Sequence, residues 1–417
     1  MMELSVSVRP TKIFSHKFVR QENRTTNKIM KSASHNYSDI QPIQAIPAPE
    51  YGLPKASAMT AIAPAGTERL SEAKLQTLID QGYTRGLAES LNQTKDAFAL
   101  RIWVVDNSGS MQQNDGHRIV GDFKGGKLRT VDCSRWDEIR DCVEYHVRLA
   151  SLLNAPTRFR LLNNPNLGTV SSRFSIAEGE NPRTHEVSDA INLLRRVRPH
   201  GCTPLTQHIL EIHQEVTEMA PALLSVGRRV AVIIATDGLP TDERGYGGAQ
   251  YQREFTDALR LLEGLPVWVV IRLCTDDDEC VDFYNKLDDF LELSIDVLDD
   301  FAAEAQEVYD ENPWLTYSLQ IHRLREFGYH DRLFDLIDER RLSSSQVRDY
   351  CTLIFGRDAF DGVPDPSADW DSFSRRLSRV LNASNDRPYN PLKKKNTEWI
   401  RLKKLNRLYS HNSCFFF

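Results

Sequence analysis

The sequence predicts an α/β fold: a doubly wound, mostly parallel sheet with a helical hairpin ahead of it and a helical extension behind. Three observations carry that expectation. Apolar runs at Ala99–Asp106, Arg229–Asp237 and Pro266–Thr275 each end in a polar turn, as strands buried on both faces do. Stretches with helical spacing of apolar residues separate these runs. The 417 residues, 41% apolar and 26% charged, suffice for one large domain with appendages.

Taken in order, residues 1–66 are expected to be a disordered basic N-terminus followed by a Pro-rich linker, because they lack a hydrophobic period and carry Pro42, Pro47, Pro49, Pro54 and Pro64. Residues 67–95 read as a helical hairpin: Leu70, Leu75, Leu78 and Ile79, a break at Gly82-Tyr83, then Leu87, Ala88 and Leu91. The α/β domain spans 96–312. After its first strand comes an insert whose two polar/apolar alternations flank Lys124-Gly125-Gly126, the pattern of a β-hairpin. A helix from Trp136 to Leu153 precedes strands at Arg158–Leu162 and Val170–Ile176. Helices at Val187–Val197 and Leu205–Met219 lead into the second apolar run, and a helix at Phe255–Leu262 into the third. A helix near Val281–Leu287, a short strand at Ile295–Leu298 and a helix over Phe301–Asp310 close the alternation, which is the signature of a parallel sheet covered on both faces. Residues 313–384 form a helical extension, separate in character, and 385–417 a basic amphipathic tail.

Charge and cysteine usage narrow the class. Residues 1–38 hold seven Lys/Arg against Glu3 and Glu22, and residues 385–417 eight against Asp386 and Glu398, so the body between them is strongly acidic within a net charge of −6. An acidic body argues against nucleic-acid binding, which needs a positive face to displace counterions from phosphates. The seven scattered cysteines contain no C-x-x-C pair, so they read as reduced thiols of an intracellular, cytoplasmic protein rather than a disulfide framework. No run of about 18 apolar residues signals a membrane span.

In open parallel sheets ligands bind beyond the carboxyl ends of the strands. Three loops there carry polar residues: Asp106-Asn107-Ser108-Gly109-Ser110-Met111, Pro199-His200-Gly201-Cys202-Thr203-Pro204 and Thr236-Asp237-Gly238. Among them the carboxylates of Asp106 and Asp237 and the hydroxyls of Ser108, Ser110 and Thr203 form an all-oxygen set that suits Mg²⁺ or Mn²⁺, whereas the absence of paired His and Cys counts against zinc or copper.

This set resembles the von Willebrand factor A domain, a Rossmann-like fold with a metal-ion-dependent adhesion site whose pattern is D-x-S-x-S, a distant Thr and a distant Asp. The matching metal residues are Asp106, Ser108, Ser110, Thr203 and Asp237. The resemblance covers residues 96–312, and the forms DNSGSM, GCTPL and TDGLPTD are similar to intracellular and microbial members. It implies that Ser108 and Ser110 touch the metal directly, that Thr203 does so conditionally, and that Asp106 and Asp237 act through bound water. It further implies a protein-binding module, not an enzyme, in which an Asp or Glu of a partner protein completes the coordination of the ion.

Two alternatives stand beside it. One is a metal-independent scaffold with a vestigial site that recruits through its tails. The other is a Mg²⁺-dependent phosphohydrolase of the haloacid dehalogenase type, disfavoured because the position two after Asp106 is Ser108 rather than a second Asp. Cys414-Phe415-Phe416-Phe417 has the outline of a prenylation box. Together with the basic stretch from Lys393 to Arg407 it offers peripheral membrane contact as an alternative to a cytoplasmic location.

Overall fold

The computed structural model describes residues 69–121, 128–179, 185–275, 277–384 and 386–410. The chain enters through α1 (Glu72–Asp80) and α2 (Arg85–Ala97), whose first turns are closed by the Ser71 and Thr84 side chains accepting from the Lys74 and Leu87 amides. Strand β1 (Phe98–Val105) follows directly. The insert after it is the expected antiparallel hairpin, β2 (Gly116–Val120) and β3 (Arg129–Cys133), with Gly116 opposite Cys133 and Val120 opposite Arg129. The Lys124-Gly125-Gly126 turn lies outside the described residues.

Next come α3 (Arg135–Leu153), β4 (Thr157–Leu161), β5 (Arg173–Ile176), α4 (Glu186–Arg196), α5 (Leu205–Ser225), β6 (Arg229–Thr236) and α6 (Ala249–Arg260). The series ends with β7 (Val267–Leu273), α7 (Asp278–Asn285), β8 (Ile295–Leu298) and α8 (Phe301–Glu311). Helix α5 outruns its expected end at Met219 and continues to Ser225 with Pro221 inside it, forgoing one backbone hydrogen bond there.

The central sheet has six strands in the order β5-β4-β1-β6-β7-β8. All its pairings are parallel except that of β4 with β5, whose connecting segment carries no helix with which to cross back. Strand alternation divides the core. Ile102, Val104, Val232, Ile234 and Ile271 face α5, α6 and α7, while Trp103, Val105, Ile233 and Val270 face α3 and α4. Both faces are therefore covered.

The extension departs from its expected separateness. Helices α9 (Leu319–Glu326), α10 (Arg332–Glu339), α11 (Ser344–Phe355) and α12 (Trp370–Ala383) share one hydrophobic core with α1, α2 and α8. Helix α3 is the common wall: Ile139, Val143 and Val147 face the sheet, and Leu149 and Leu153 face the extension. Arg101 of β1 ties the layers further. Fully buried, it donates to the Phe327 carbonyl at 3.0 Å and the Thr94 carbonyl at 2.8 Å and lies over the Phe327 ring.

The basic tail is likewise part of the fold. After the short ribbon β9 (Tyr389–Asn390) and β10 (Lys395–Asn396), Trp399 and Ile400 are buried, and α13 (Leu402–Tyr409) buries Leu405 and Tyr409. The Tyr409 hydroxyl donates to the Leu342 carbonyl at 2.6 Å. The apolar stripe that a membrane helix would present is spent on this packing. Residues 1–66 and Cys414 lie outside the described residues. No helix among the described residues is long and apolar enough to cross a membrane.

Candidate metal centre

From β1 the chain works outward to β4 and β5, then returns to β6 beside β1 and moves the other way. Loops leaving such a neighbouring pair diverge, opening a crevice at their carboxyl ends. Asp106 and Asp237 are the first residues after those two ends. The Asp106 amide donates to the Ala235 carbonyl at 2.9 Å, which extends the parallel pairing up to the carboxylate itself.

The side chains form a continuous network. Asp106 Oδ1 accepts the Ser108 amide at 2.8 Å, and Oδ2 accepts the Thr236 hydroxyl at 2.7 Å. The Ser108 and Ser110 hydroxyls are 3.0 Å apart, and Ser110 donates to Asp237 Oδ1 at 2.8 Å. Thr203 arrives from the third loop. Its amide donates to Thr241 Oγ1 at 2.9 Å, its carbonyl accepts the Thr241 amide at 3.0 Å, and a methyl group built on Gly238 would lie 3.8 Å from its hydroxyl. All five expected residues thus meet at one rim.

Backbone contacts hold the loops in register. The Gly109 amide donates to the Gly201 carbonyl at 3.1 Å, and the His200 amide to the Asn107 carbonyl at 2.8 Å. The Asn107 side chain clamps the loop after β4, with Oδ1 accepting the Asn163 amide at 2.8 Å and Nδ2 donating to the Asn163 carbonyl at 3.0 Å. Gly201 has φ of +81°, and a Cβ there would stand 2.5 Å from Asn163 Oδ1, so any side chain would be strained and would displace Asn163. The His200 imidazole is occupied within the loops, Nδ1 lying 3.0 Å from the Arg198 carbonyl and Nε2 2.9 Å from Asn166 Nδ2.

Electrostatics favour a cation. Burial and the charge of Asp237 push the Asp106 carboxyl up to about 6, and burial also raises Asp237 against the pull of its partners. A cation held between the carboxylates would relieve both. Part of that charge is already balanced by Arg135, which sequence spacing did not single out. Its Nη1 lies 3.0 Å from Asp237 Oδ2, and its Nε and Nη2 hold Asp115 at 2.7 and 2.6 Å. Asn163 was also missed, and Thr236, though named with its loop, was given no role, since an asparagine in a polar loop and a buried threonine closing a strand carry no distinctive pattern. The donor set is all oxygen, which fits a hard divalent ion of the Mg²⁺ or Mn²⁺ kind.

No family model matches the chain, and no curated protein matches it. Among solved structures, it is similar to a variant of the PilB minor pilin from Streptococcus sanguinis at 10% identity, over 58% of this chain and 62% of that one, with a TM-score of 0.33. It is also similar to the pilus adhesin SpaC from Lactobacillus rhamnosus GG at 14% identity, over 48% of this chain and 28% of that one, with a TM-score of 0.32. The chain spans less than two thirds of the length of either. Likeness at this level says nothing about function.

Proposed function

We propose that the chain is a divalent-metal-dependent protein-binding module with a doubly wound sheet of the von Willebrand factor A type, and that it is not an enzyme. The observation that carries this reading is the meeting of Asp106, Ser108, Ser110, Thr203 and Asp237 at the point where the strand order reverses. Ser108, Ser110 and Thr203 are neutral donors for Mg²⁺ or Mn²⁺. Asp106 and Asp237 hold the serine loop and provide the balancing charge. When bound, the ion supplies an electrophilic vertex for an Asp or Glu of a partner protein. Asp106 is held by Ser108 and Thr236, so its carboxylate is oriented before any ligand arrives, which lowers the ordering cost of binding.

Calorimetric titration of the full chain with Mg²⁺ and Mn²⁺ tests the site. One equivalent taken up by the wild type, at least tenfold more weakly by Ser108→Ala, is the expected result. No uptake by folded wild type overturns the reading. Retention of a protein partner on immobilised chain in Mg²⁺ and its release in EDTA, absent with Ser108→Ala, tests the binding step.

A further inference from the structure

A second set of ligand-type side chains lies remote from the strand-end loops, where α3 meets α9. Cys142 and His146 are four residues apart on α3, and His322 and Glu326 are four apart on α9, so each pair shares one helix face. The four side chains are buried. Cys142 Sγ is 3.3 Å from Glu326 Oε1, His146 Nε2 is 3.0 Å from Oε2, and His322 Nε2 is 3.4 Å from Oε1. One ligand atom each from Cys142, His146 and Glu326 falls within 4.8 Å of the other two. The ligand-to-ligand edges of a tetrahedral zinc site with N, O and S donors are about 3.3–3.6 Å, so the three donors, of which Cys142 and His146 contact different Glu326 oxygens, would have to draw together around an ion.

We infer that Cys142, His146 and Glu326 form a buried binding site for a zinc-class divalent cation, with His322 as the neighbouring fourth donor. This site is independent of the oxygen-lined centre and takes a softer ion. Two further observations support it. First, His322 Nε2 has no hydrogen-bond partner although buried, while its Nδ1 is oriented by the Tyr317 hydroxyl at 3.2 Å, the arrangement of a ligating imidazole held by an outer partner.

Second, a cavity of about 60 Å³ reaches Cys142, His322 and Glu326, with room for a solvent ligand. Its charged lining comprises four carboxylates (Glu138, Asp141, Asp300 and Glu326) and three guanidiniums (Arg118, Arg272 and Arg323). Arg272 and Arg323 both contact Glu326, at 3.2 and 2.9 Å, and Arg272 also pairs with Glu138. These contacts alone would oppose a cation. The lining nevertheless carries one excess negative charge, and a divalent ion with the Cys142 thiolate adds one positive charge, so the loaded cavity is neutral. On binding, the S–H bond breaks, the metal–sulfur bond forms and the thiol proton leaves through the cavity to solvent. The bound ion would tie α3 of the sheet layer to α9 of the extension.

Cobalt(II) provides the test, because a thiolate ligand produces a charge-transfer band in the near ultraviolet that an all-oxygen site lacks. The metal-free full chain given one equivalent of Co²⁺ should develop the band, and Zn²⁺ should abolish it by displacement. Cys142→Ser, with helical content unchanged, should lose the band, and His146→Gln should weaken Co²⁺ binding at least tenfold. The double variant Cys133→Ser/Cys202→Ser, at the half-buried thiols, should keep the band even if Cys142→Ser does not fold. Absence of the band in folded wild type, its persistence in Cys142→Ser, or its loss in the double variant overturns the proposal.

Discussion

Arg135 Nη1 stands 3.0 Å from Asp237 Oδ2 while the rest of the guanidinium grips Asp115, so a fixed positive charge offsets one carboxylate of the proposed metal centre. Removing that charge should strengthen the pull on a cation and leave Asp237 uncompensated without one. Arg135→Gln is expected to tighten Mg²⁺ binding about tenfold, or about 1.4 kcal/mol. It should also lower the Tm measured in EDTA. Calorimetry beside thermal melts with and without Mg²⁺ checks both, and equal Mg²⁺ affinity in the two proteins would show that the guanidinium has no influence on the site.

Gly201 joins the serine loop to the threonine loop at a left-handed backbone position facing Asn163. Gly201→Ala should cost about 1–3 kcal/mol of stability. It should also weaken Mg²⁺ uptake, because the Gly109–Gly201 contact that sets the two loops in register is disturbed. Chemical denaturation and calorimetry on the same preparation separate the two effects; a loss of stability with unchanged uptake would place the strain outside the site.

Asp335 on α10 has its carboxyl pushed from 3.8 up to about 7, first by burial and then by the facing charge of Asp296, against the pull of Arg325. A raised pKa in the folded state means that the protonated carboxyl is the favoured form. Its contribution is fully present below about pH 4 and is lost as pH rises through about 7. The Tm gained by Asp335→Asn should therefore grow from about pH 4 to about pH 7 and stay constant above that. A gain independent of pH would show that the side chain acts through packing instead.

Leu405 on α13 is fully buried in the core shared by hairpin and extension. Leu405→Ala should destabilise the whole chain by about 2–5 kcal/mol, read as a shift in urea midpoint. A free membrane-seeking tail would leave that midpoint where it was.

Much of the candidate metal centre was legible in the sequence because its oxygen donors sit at places that periodicity already marks. Asp106 and Asp237 each follow the last residue of a continuous apolar strand, and the serines alternate within the turn after Asp106. Arg135 was not legible. It opens α3 after a long insert, and the β2–β3 hairpin returns the chain to where its guanidinium meets Asp237. The antiparallel direction of β5 was also hidden, since alternation in a strand does not encode direction. The expected absence of paired His and Cys overlooked Cys142 and His146, which stand at the helical i, i+4 spacing that would have flagged them.

By itself, then, the sequence determined which segments are strands and helices and which oxygen donors emerge at the strand ends, because both follow from local hydrophobic period and turn chemistry. Tertiary structure decided the rest. It merged hairpin, extension and tail into one core against α3, buried Arg101 between layers, and set His322 and Glu326 against Cys142 and His146. An ionisable group can be buried only where partners compensate its desolvation, and those partners come from segments far away along the chain.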